Sequence, residues 1–490
     1  MTPHVYPRQC AFKSIEDIKD KKVTVMGLGL NGGGEAAVRF FLNKGAYVTV
    51  TDMKTEEQLK ATVNKLNSDT SLDHSRLTYR LGEHKIEDFE TADCVIKNPG
   101  VKFEGNKYLA AARAIETDLS IFLRFTNCPI IAVTGSKGKS STVSAIYYGL
   151  SEAGYTSFLG GNITVSPLTF FDQVNGDTPV VIEFSSWQLA DLRGRGVLRP
   201  HISIITKIVP DHQNWYGDME SYVADKRLIY ADQTKGDYSI FDSDDWGDRF
   251  AAESKATVLR YGSKATWSLE LGELLVPGIH MKTNAQNAAL VMHLMGVPDA
   301  RIKEILQRWP GIDHRLQYFH SWKKQNADGT ATTVKFYNDS CATVPEAAAA
   351  ASQAFGKPVI LMTGGTEKGL ELTPLIRILT VPDTAAGEYP VKALYLLAGS
   401  ATDKLIPELD KAGVKYHGPF DGLEPLLKEV KGEFEGSVFE KGGFNTPSRG
   451  TQTPEKEEIF VFSPGATSFG MFSNEFDRGN KYMAAVKEIF

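Results

Sequence analysis

A glycine- and lysine-rich loop is the segment of this sequence best suited to chemistry. Residues 134–141, TGSKGKSS, follow the apolar run IIAV and precede a helical pattern. The loop resembles a phosphate-binding motif, although Val133 stands where G-x-x-x-x-G-K-[ST] has its first glycine. At a helix start, backbone N–H groups face phosphate oxygens. We predict that Lys139 neutralises the β- and γ-phosphates and that Ser140 coordinates magnesium. The predicted ATP-binding loop comprises Gly135, Ser136, Lys137, Gly138, Lys139, Ser140 and Ser141.

Polar side chains after two later apolar runs are candidate partners for such a loop. Glu183 ends the run VVIE, and Asp211 and His212 follow a proline after the run ISIITKIV. A glutamate buried at a strand end without a cation is costly, so Glu183 is a candidate metal ligand. The alternatives are a solvated glutamate at a strand end and an ordinary loop histidine.

A second glycine-rich turn allows a different interpretation. Residues 27–32, GLGLNG, form a complete G-x-G-x-x-G after the strand pattern VTVM, and Asp52 ends the next strand. This spacing is typical of dinucleotide-binding domains, in which the acid contacts a ribose, and alone it would predict a nicotinamide-dependent dehydrogenase. Two features oppose that interpretation. The turn is unusually rich in glycine, and an ATP loop has no role in hydride transfer.

The elements that would position these residues alternate between strands and helices. Three groups of β-rich runs, each followed by a helical pattern, predict an α/β protein with parallel sheets. We place domain boundaries near residues 125 and 312, which gives domains 1–125, 126–312 and 313–490. In open α/β sheets, ligands bind beyond the carboxyl ends of the strands, where the polar clusters fall. Residues 435–458, rich in glycine, serine, threonine and proline, are predicted to be a mobile surface insertion.

Composition excludes several classes of protein. The 490 residues contain 54 Lys and Arg against 60 Asp and Glu, a net charge of −6, so no broad basic surface for nucleic acid is expected. The four cysteines lack a C-x-x-C pair, which argues against a disulfide framework or a zinc site. The N-terminus shows no signal-peptide pattern, and no apolar run is long enough to span a membrane. We therefore expect a cytoplasmic protein that does not bind membranes.

Several further motifs occur together with the loop, and the whole set resembles the Mur ligase family over nearly the full chain. The family's loop reads T-G-[ST]-x-G-K-[ST]-[ST], so the missing first glycine is a family trait. The other motifs, in family order, are GGNI at 160–163, EFSSWQL at 183–189, PDH at 210–212, YVADKRLIY at 222–230, HR at 314–315, NDSCAT at 338–343, GGTEKG at 364–369 and SPGATSFGMF at 463–472.

The resemblance implies a three-domain ligase with a Rossmann-like N-terminal domain that binds a UDP-linked substrate. It further implies a central P-loop ATPase-type domain and a Rossmann-like C-terminal domain that binds an amino acid. Matching the family's motifs residue by residue assigns catalytic roles to Lys139, Glu183, His212 and Lys226. Ser140, Glu183, His212 and Lys226 would organise two Mg²⁺ ions, and Lys226 corresponds to a lysine that the family carries as a carbamate.

The remaining implied contacts divide among three ligands. ATP would also contact Asn284, Arg315 and Asp339. The UDP-linked substrate would contact Gly29, Leu30, Asn31, Asp52, Asn98, Gly100, Asn162, Ser185 and Gln188. The amino acid would contact Thr343, Lys368, Ser468 and Phe469.

The glycine turn with Asp52 and NPG at 98–100 resembles the family member that adds D-glutamate to UDP-N-acetylmuramoyl-L-alanine for peptidoglycan synthesis. The resemblance thus implies an acyl-phosphate mechanism. We expect the protein to be a monomer. Four positions depart from the family pattern. Cys341 replaces a lysine, Gly470 an aspartate and Met281 an asparagine, and Glu475 occupies a position that is often aromatic. A related ligase for another amino acid, or a non-catalytic nucleotide-binding homologue, are the alternatives.

Overall fold

The computed structural model describes residues 10–211, 213–326, 329–382, 388–435 and 455–490. The chain divides into two compact units. Unit 1 contains residues 1–271 and 283–306, and unit 2 contains residues 272–282 and 307–490. Within the described residues, none of the helices combines the length and apolar character required to cross a membrane.

The first sheet of unit 1 contains five parallel strands in the order β3-β2-β1-β4-β5. Apolar residues of β1 and β2 pack against one face of α1 in a continuous core. The strands are β1 (Lys22–Met26), β2 (Tyr47–Asp52), β3 (Leu77–Leu81), β4 (Cys94–Lys97) and β5 (Ile115–Glu116). The helices are α1 (Gly33–Asn43), α2 (Glu56–Asn67), α3 (Glu87–Glu90), α4 (Lys107–Ala111) and α5 (Asp118–Phe125).

The second sheet of unit 1 has six parallel strands in the order β11-β10-β9-β6-β8-β7. Its central strands β6, β8 and β9 are buried along their whole length, as expected for a parallel sheet covered on both faces. The strands are β6 (Ile130–Thr134), β7 (Phe158–Gly161), β8 (Val180–Glu183), β9 (Ile202–Ile205), β10 (Tyr238–Asp242) and β11 (Thr257–Tyr261). The helices are α6 (Lys139–Glu152), α7 (Ser186–Asp191), α8 (Gln213–Tyr216), α9 (Met219–Lys226), α10 (Asp245–Glu253), α11 (Ile279–Leu294) and α12 (Asp299–Gln307). Of α11 and α12, residues 283–294 and 299–306 belong to unit 1.

Unit 2 is built on a six-stranded sheet in the order β12-β13-β17-β14-β15-β16, in which only β12 is antiparallel to its neighbour. Alternate residues of β14 belong to separate cores on the two faces, Val359 and Leu361 to one and Ile360 and Met362 to the other. The strands are β12 (Gln317–Gln325), β13 (Ala331–Asn338), β14 (Val359–Gly364), β15 (Val391–Leu397), β16 (His417–Phe420) and β17 (Glu455–Phe462). The helices are α13 (Pro345–Gln353), α14 (Thr373–Thr380), α15 (Ser400–Lys411), α16 (Leu423–Glu435) and α17 (Glu475–Ile489).

The predicted fold class is confirmed, because three largely parallel sheets are each flanked by helices. The predicted insertion ends too late: β17 begins at Glu455, and residues 436–454 lie outside the described part of the chain. The run EKEE lacks aliphatic residues and therefore resembles a loop. In the sheet, Glu457 pairs with Lys335 and Lys357 and Glu458 pairs with Lys392, so neighbouring lysines neutralise the strand's charges.

The three-domain division at residues 125 and 312 remains our proposal. It rests on the three separate sheets. Residues 272–282 belong to the same compact unit as the third sheet, where the Tyr337 hydroxyl donates a hydrogen bond to the Leu275 carbonyl at 2.8 Å.

Candidate active site

The predicted phosphate loop connects the buried strand β6 to α6. Gly138 caps the helix in the left-handed region, at φ +91°, and a methyl group there would lie 2.8 Å from Asn284 Oδ1. Gly135 has φ +145°, and a methyl group on it would lie 1.9 Å from Thr206 Oγ1. Both glycines are therefore required by backbone conformation and by close neighbours. The first N–H groups of α6 lack intrahelical acceptors, as a phosphate site requires.

Two predicted lysines meet at this loop. Lys139 Nζ donates to the carbonyls of Gly135 at 3.0 Å and Ser136 at 3.1 Å, and Lys226 Nζ also donates to the Gly135 carbonyl at 3.0 Å. Burial and the nearby Lys139 ammonium lower the pKa of Lys226 to about 7. Burial also lowers the pKa of Lys139, and the carboxylates of Glu183 and Asp211 oppose that shift. Two amino groups thus lie at the loop where we predict that a triphosphate binds, and much of Lys226 is neutral near pH 7.

Glu183 lies at the end of β8, next to β6, and is 1% exposed. Asn162 Nδ2 donates to its Oε1 at 2.8 Å, whereas its buried Oε2 accepts no hydrogen bond from the described residues. A buried carboxylate oxygen without a partner is costly, and a cation would satisfy it. The Ser140 hydroxyl is in the first turn of α6. Carboxylate and hydroxyl oxygens are the ligands that Mg²⁺ prefers, so these residues fit that ion.

Two other residues predicted to contact ATP in unit 1 make different contacts at the loop. Asn284 is buried and packs against the loop, and its Oδ1 accepts a hydrogen bond from Thr142 Oγ1 at 3.3 Å. The Ser136 hydroxyl donates to the Val209 carbonyl at 2.9 Å, and the Ser136 amide donates to the Lys207 carbonyl at 2.9 Å. Ser136 therefore fastens the loop to the segment after β9, an interaction that the sequence motif does not reveal.

Asp211 and Lys137 form an ion pair at 3.5 Å, which connects the PDH segment to the loop. The adjacent predicted metal ligand, His212, lies outside the described residues.

The glycine turn of the first sheet and Asp52 are joined by hydrogen bonds. Asp52 is 6% exposed, and its carboxylate accepts from the amides of Gly29 at 3.0 Å and Lys54 at 2.9 Å. The turn exposes Leu30 and Asn31, the two residues before the N-cap of α1. Because the carboxylate already accepts two amides, it stabilises the turn itself.

A cavity of about 30 Å³ lies at the carboxyl ends of β1 and β4, lined by Gly27 and Asn98 among others. Asn98 Oδ1 accepts the Gly100 amide at 3.0 Å, so both predicted substrate residues form one turn at this cavity. The predicted nucleotide-binding turn and the NPG segment therefore lie together.

The glycine turn also approaches the second sheet. A methyl group on Gly32 would lie 3.6 Å from the carbonyl oxygen of Thr164, two residues after the predicted substrate contact Asn162. Ser185 and Gln188 form a capping box at the start of α7, with hydrogen bonds of 2.9 and 3.2 Å between side chain and backbone. Within unit 1, the predicted substrate and ATP residues thus share one region.

Sequence reasoning missed the ion pairs that hold the two sheets of unit 1 together. Lys97 Nζ lies 2.8 Å from Asp191 Oδ2, and Arg195 lies 2.7 Å from Glu116, with all four side chains buried. Each pair joins residues about 80 to 95 positions apart in the chain, which is why no local pattern reveals them. They fix α7 against the carboxyl ends of β4 and β5.

Unit 2 brings predicted amino-acid contacts together. Lys368 Nζ donates to Thr343 Oγ1 at 3.2 Å. In the loop after β17, Ser468 is buried and Phe469 is 65% exposed. The Phe469 carbonyl accepts a hydrogen bond from Thr366 Oγ1 at 2.6 Å. The three loops follow the neighbouring strands β13, β14 and β17, so they lie at one edge of the sheet.

Asp339 has both carboxylate oxygens engaged within unit 2. They accept hydrogen bonds from the Ser463 hydroxyl at 2.6 Å and the Leu316 amide at 3.1 Å. Burial raises the pKa of Asp339 to about 7, despite these hydrogen bonds and the nearby exposed Arg315. Asp339 therefore holds the segment that carries Arg315.

A buried arginine that sequence reasoning missed supports the loops that carry the predicted amino-acid contacts. Arg478 is 1% exposed and donates to the carbonyls of Ala466 at 3.0 Å, Thr467 at 2.8 Å and Ser340 at 2.8 Å. Burial lowers its pKa to about 10. It shares a buried helix face with Tyr482, four residues later, and that spacing is the signal that could have identified it.

The departures from the family pattern have local consequences. Gly470 has φ +105°, a region that favours glycine over aspartate. Cys341 is half-buried, and burial raises the pKa of its thiol. Glu475 is the first residue of α17, and Met281 is buried in α11.

Comparison with known proteins identifies the family. The Mur ligase middle domain matches residues 133–298, and the N-terminal domain described as Mur ligase MurD-like matches residues 21–119. The chain belongs to the Mur ligase family, a family of ATP-dependent ligases.

Two similar curated proteins are both named UDP-N-acetylmuramoylalanine--D-glutamate ligase. The protein of Treponema pallidum is 37% identical, with 96% of this chain and 98% of the relative covered. The protein of Borreliella afzelii is 35% identical, with 96% and 99% covered.

Solved structures agree with the fold. UDP-N-acetylmuramate-alanine ligase MurC of Thermotoga maritima has a TM-score of 0.52 at 18% identity, covering 96% of this chain and 99% of that one. A structure of MurF from Acinetobacter baumannii has a TM-score of 0.51 at 16% identity, covering 83% and 93%.

Proposed function

We propose that this protein uses ATP to join D-glutamate to UDP-N-acetylmuramoyl-L-alanine, a step of peptidoglycan precursor synthesis. The observation that carries the proposal is the cluster at the predicted phosphate loop, where Glu183 Oε2, which accepts no hydrogen bond from the described residues, accompanies the buried Lys226 and the half-buried Lys139. The D-glutamate specificity is supported by the names of the relatives at 35 and 37% identity. We further propose that the protein acts as a cytoplasmic monomer with two Mg²⁺ ions.

The reaction requires activation because a carboxylate is a poor electrophile. The alanyl carboxylate attacks the γ-phosphorus of ATP, which gives an acyl phosphate and ADP. The glutamate amine then attacks the acyl carbon, the amine loses a proton, and inorganic phosphate leaves as the amide forms. Mg²⁺ held by Ser140 and Glu183, and by His212 and Lys226, would neutralise charge on the phosphates. Lys139 would stabilise the same charge directly, because its half-buried ammonium lies at the loop.

Binding of the UDP-linked substrate is assigned to unit 1. The glycine turn with Leu30 and Asn31, together with Asn98 and Gly100, would hold the nucleotide. Asn162, which donates to Glu183, would contact the muramoyl group close to the metal ligands. Ser185 and Gln188 act at least in part by shaping the start of α7, since their side chains cap that helix.

Lys226 is proposed to react with CO₂ and form a carbamate. A neutral amine is the nucleophile for this reaction, and a pKa of about 7 leaves much of Lys226 neutral near pH 7. The amine nitrogen bonds to the CO₂ carbon and releases one proton. Carbon-13 NMR with labelled bicarbonate should show a carbamate signal that Lys226→Met lacks. A wild-type spectrum without that signal would remove the carbamate from the proposal.

Amino-acid recognition is assigned to unit 2, with Lys368 as the cation for a carboxylate of D-glutamate. Its ammonium already contacts Thr343, another proposed contact, and Ser468 and Phe469 follow the adjacent strand. Cys341 and Glu475 lower the positive charge of this pocket relative to the family pattern. That difference supports one alternative, a related ligase for another amino acid.

The test is phosphate release from ATP with UDP-N-acetylmuramoyl-L-alanine and a panel of amino acids. We expect turnover with D-glutamate and little with L-glutamate or neutral amino acids. If the protein prefers another amino acid, that amino acid replaces D-glutamate as the proposed substrate. ATP binding without turnover of any panel member would favour a non-catalytic nucleotide-binding protein. Tight NADH binding would revive the dehydrogenase interpretation of the glycine turn.

A further inference from the structure

A lysine and two tryptophans form a stack in unit 1 that the proposed mechanism does not use. Lys102 Nζ lies 3.5 Å from the ring centroid of Trp215, and the rings of Trp215 and Trp187 lie 4.8 Å apart. Lys102 is exposed and Trp215 is 40% exposed. We call these three residues the lysine–tryptophan stack.

The stack joins three segments that carry proposed site residues. Lys102 follows Gly100 by two residues, Trp187 lies between Ser185 and Gln188 in α7, and Trp215 follows Asp211 by four residues. The stack therefore lies among the proposed substrate contacts and the segment after β9.

Hydrogen bonds and an ion pair hold in place the segments that carry the stack. The buried Lys97 ammonium donates to the carbonyls of Asn98 at 3.2 Å and Val101 at 2.9 Å, and it pairs with Asp191 of α7 at 2.8 Å. The segment before Lys102 is thereby attached to the helix that carries Trp187. Next to Trp215, the Tyr216 hydroxyl donates to Asp225 Oδ2 at 2.8 Å, which attaches α8 to α9.

The charge of Lys102 remains available in this arrangement. Among the described residues, no carboxylate lies within ion-pair distance of Lys102, and the indole restrains the ammonium without cancelling its charge. A cation restrained beside substrate contacts without a protein anion is suited to an anionic ligand. The proposed substrate carries such groups as a diphosphate and as the alanyl carboxylate.

We propose that Lys102, positioned by Trp215, binds an anionic group of the UDP-linked substrate and contributes to its selection. This inference rests on the proposed function and adds a binding residue to it. The diphosphate and the alanyl carboxylate both present negatively charged oxygens, and two ligands distinguish them. UDP carries only the diphosphate, whereas UDP-N-acetylmuramoyl-L-alanine carries the diphosphate and the carboxylate.

Calorimetric binding without ATP tests the inference directly. Lys102→Met keeps the aliphatic chain and removes the charge. We expect it to weaken binding of UDP-N-acetylmuramoyl-L-alanine by about fivefold, the size expected for one exposed ionic contact. Wild-type affinity should also fall more steeply with salt than that of the variant. The matched control is Lys107→Met: Lys107 lies over the Tyr108 ring at 5.0 Å, has no carboxylate partner among the described residues and belongs to α4, which carries none of the proposed site residues.

Tryptophan fluorescence provides a second readout. Substrate binding should change the emission of the wild type, and Trp215→Phe should lose most of that change. The control is Trp246→Phe in α10, outside the stack, which should keep the change.

The outcomes separate this inference from the proposed function. Weaker binding of both ligands by Lys102→Met would identify the diphosphate, and weaker binding of only the longer one would identify the carboxylate. Equal affinity and equal salt dependence of Lys102→Met and wild type would overturn the inference and leave the proposed function intact. Failure of the wild type to bind either ligand would overturn both.

Discussion

Replacing Gly138 by alanine should impair ATP binding beyond its effect on stability. Gly138 has φ +91°, and a left-handed conformation costs an L-residue about 1–2 kcal/mol. The new methyl group would also lie 2.8 Å from Asn284 Oδ1, so the amide must move by several tenths of an ångström. That movement threatens the 3.3 Å hydrogen bond from Thr142, worth about 1 kcal/mol.

Gly154 provides a matched control for backbone strain. It has φ +98°, nearly the same as Gly138, but a methyl group there would have no neighbour within 4 Å. Backbone strain should therefore lower the free energy of unfolding of Gly138→Ala and of Gly154→Ala by a similar amount, about 1–2 kcal/mol. Only Gly138→Ala should displace Asn284 from the phosphate loop.

Calorimetry with an ATP analogue and thermal unfolding measure the two effects separately. We expect Gly138→Ala to bind the nucleotide about tenfold more weakly than wild type, which corresponds to about 1.4 kcal/mol, and Gly154→Ala to bind it normally. If both variants lose stability but bind the nucleotide equally well, the position of Asn284 does not control nucleotide binding at the loop.

Four further outcomes follow from the site. The pKa of Lys226 is lowered to about 7, so the buried ammonium destabilises the fold below that pH, and this penalty decreases as the pH rises. In denaturant titrations, the stability of wild type relative to Lys226→Met should therefore increase between pH 7 and 9. The pKa of Asp339 is raised to about 7, so the protonated carboxyl stabilises the fold at low pH, and wild type should lose stability relative to Asp339→Asn as pH rises from 4 to 7, by at most about 4 kcal/mol. A stability difference that does not change with pH would contradict the shift. Lys368→Met should raise the KM for D-glutamate about tenfold or more and leave the KM for ATP near normal, whereas Lys411→Met in α15 should change neither. Removal of divalent ions with EDTA should abolish ATP turnover and added Mg²⁺ should restore it; activity that persists in EDTA would contradict the metal assignment.

Local patterns predicted the parts of this protein that depend on neighbouring residues. The loop at residues 134–141 was recognisable because a phosphate site needs glycines, a lysine and a hydroxyl within one turn between a strand and a helix. The alternation of apolar runs and helical patterns was sufficient for the fold class. The strand at Glu455 was missed because its charges are neutralised by Lys335, Lys357 and Lys392, which are distant in the chain.

Tertiary structure alone decided which charges are buried and which groups they meet. The sequence gives no reason to separate Lys226 from other helix lysines, yet burial beside Lys139 lowers its pKa to about 7. The same dependence on distant segments holds for the pairing of Lys97 with Asp191, for the carbonyl contacts of Arg478 and for Glu183 Oε2, which accepts no hydrogen bond within the described part of the chain. Motifs can therefore nominate residues for phosphate binding, but desolvation and pairing are properties of the packed interior, and only the folded chain determines them.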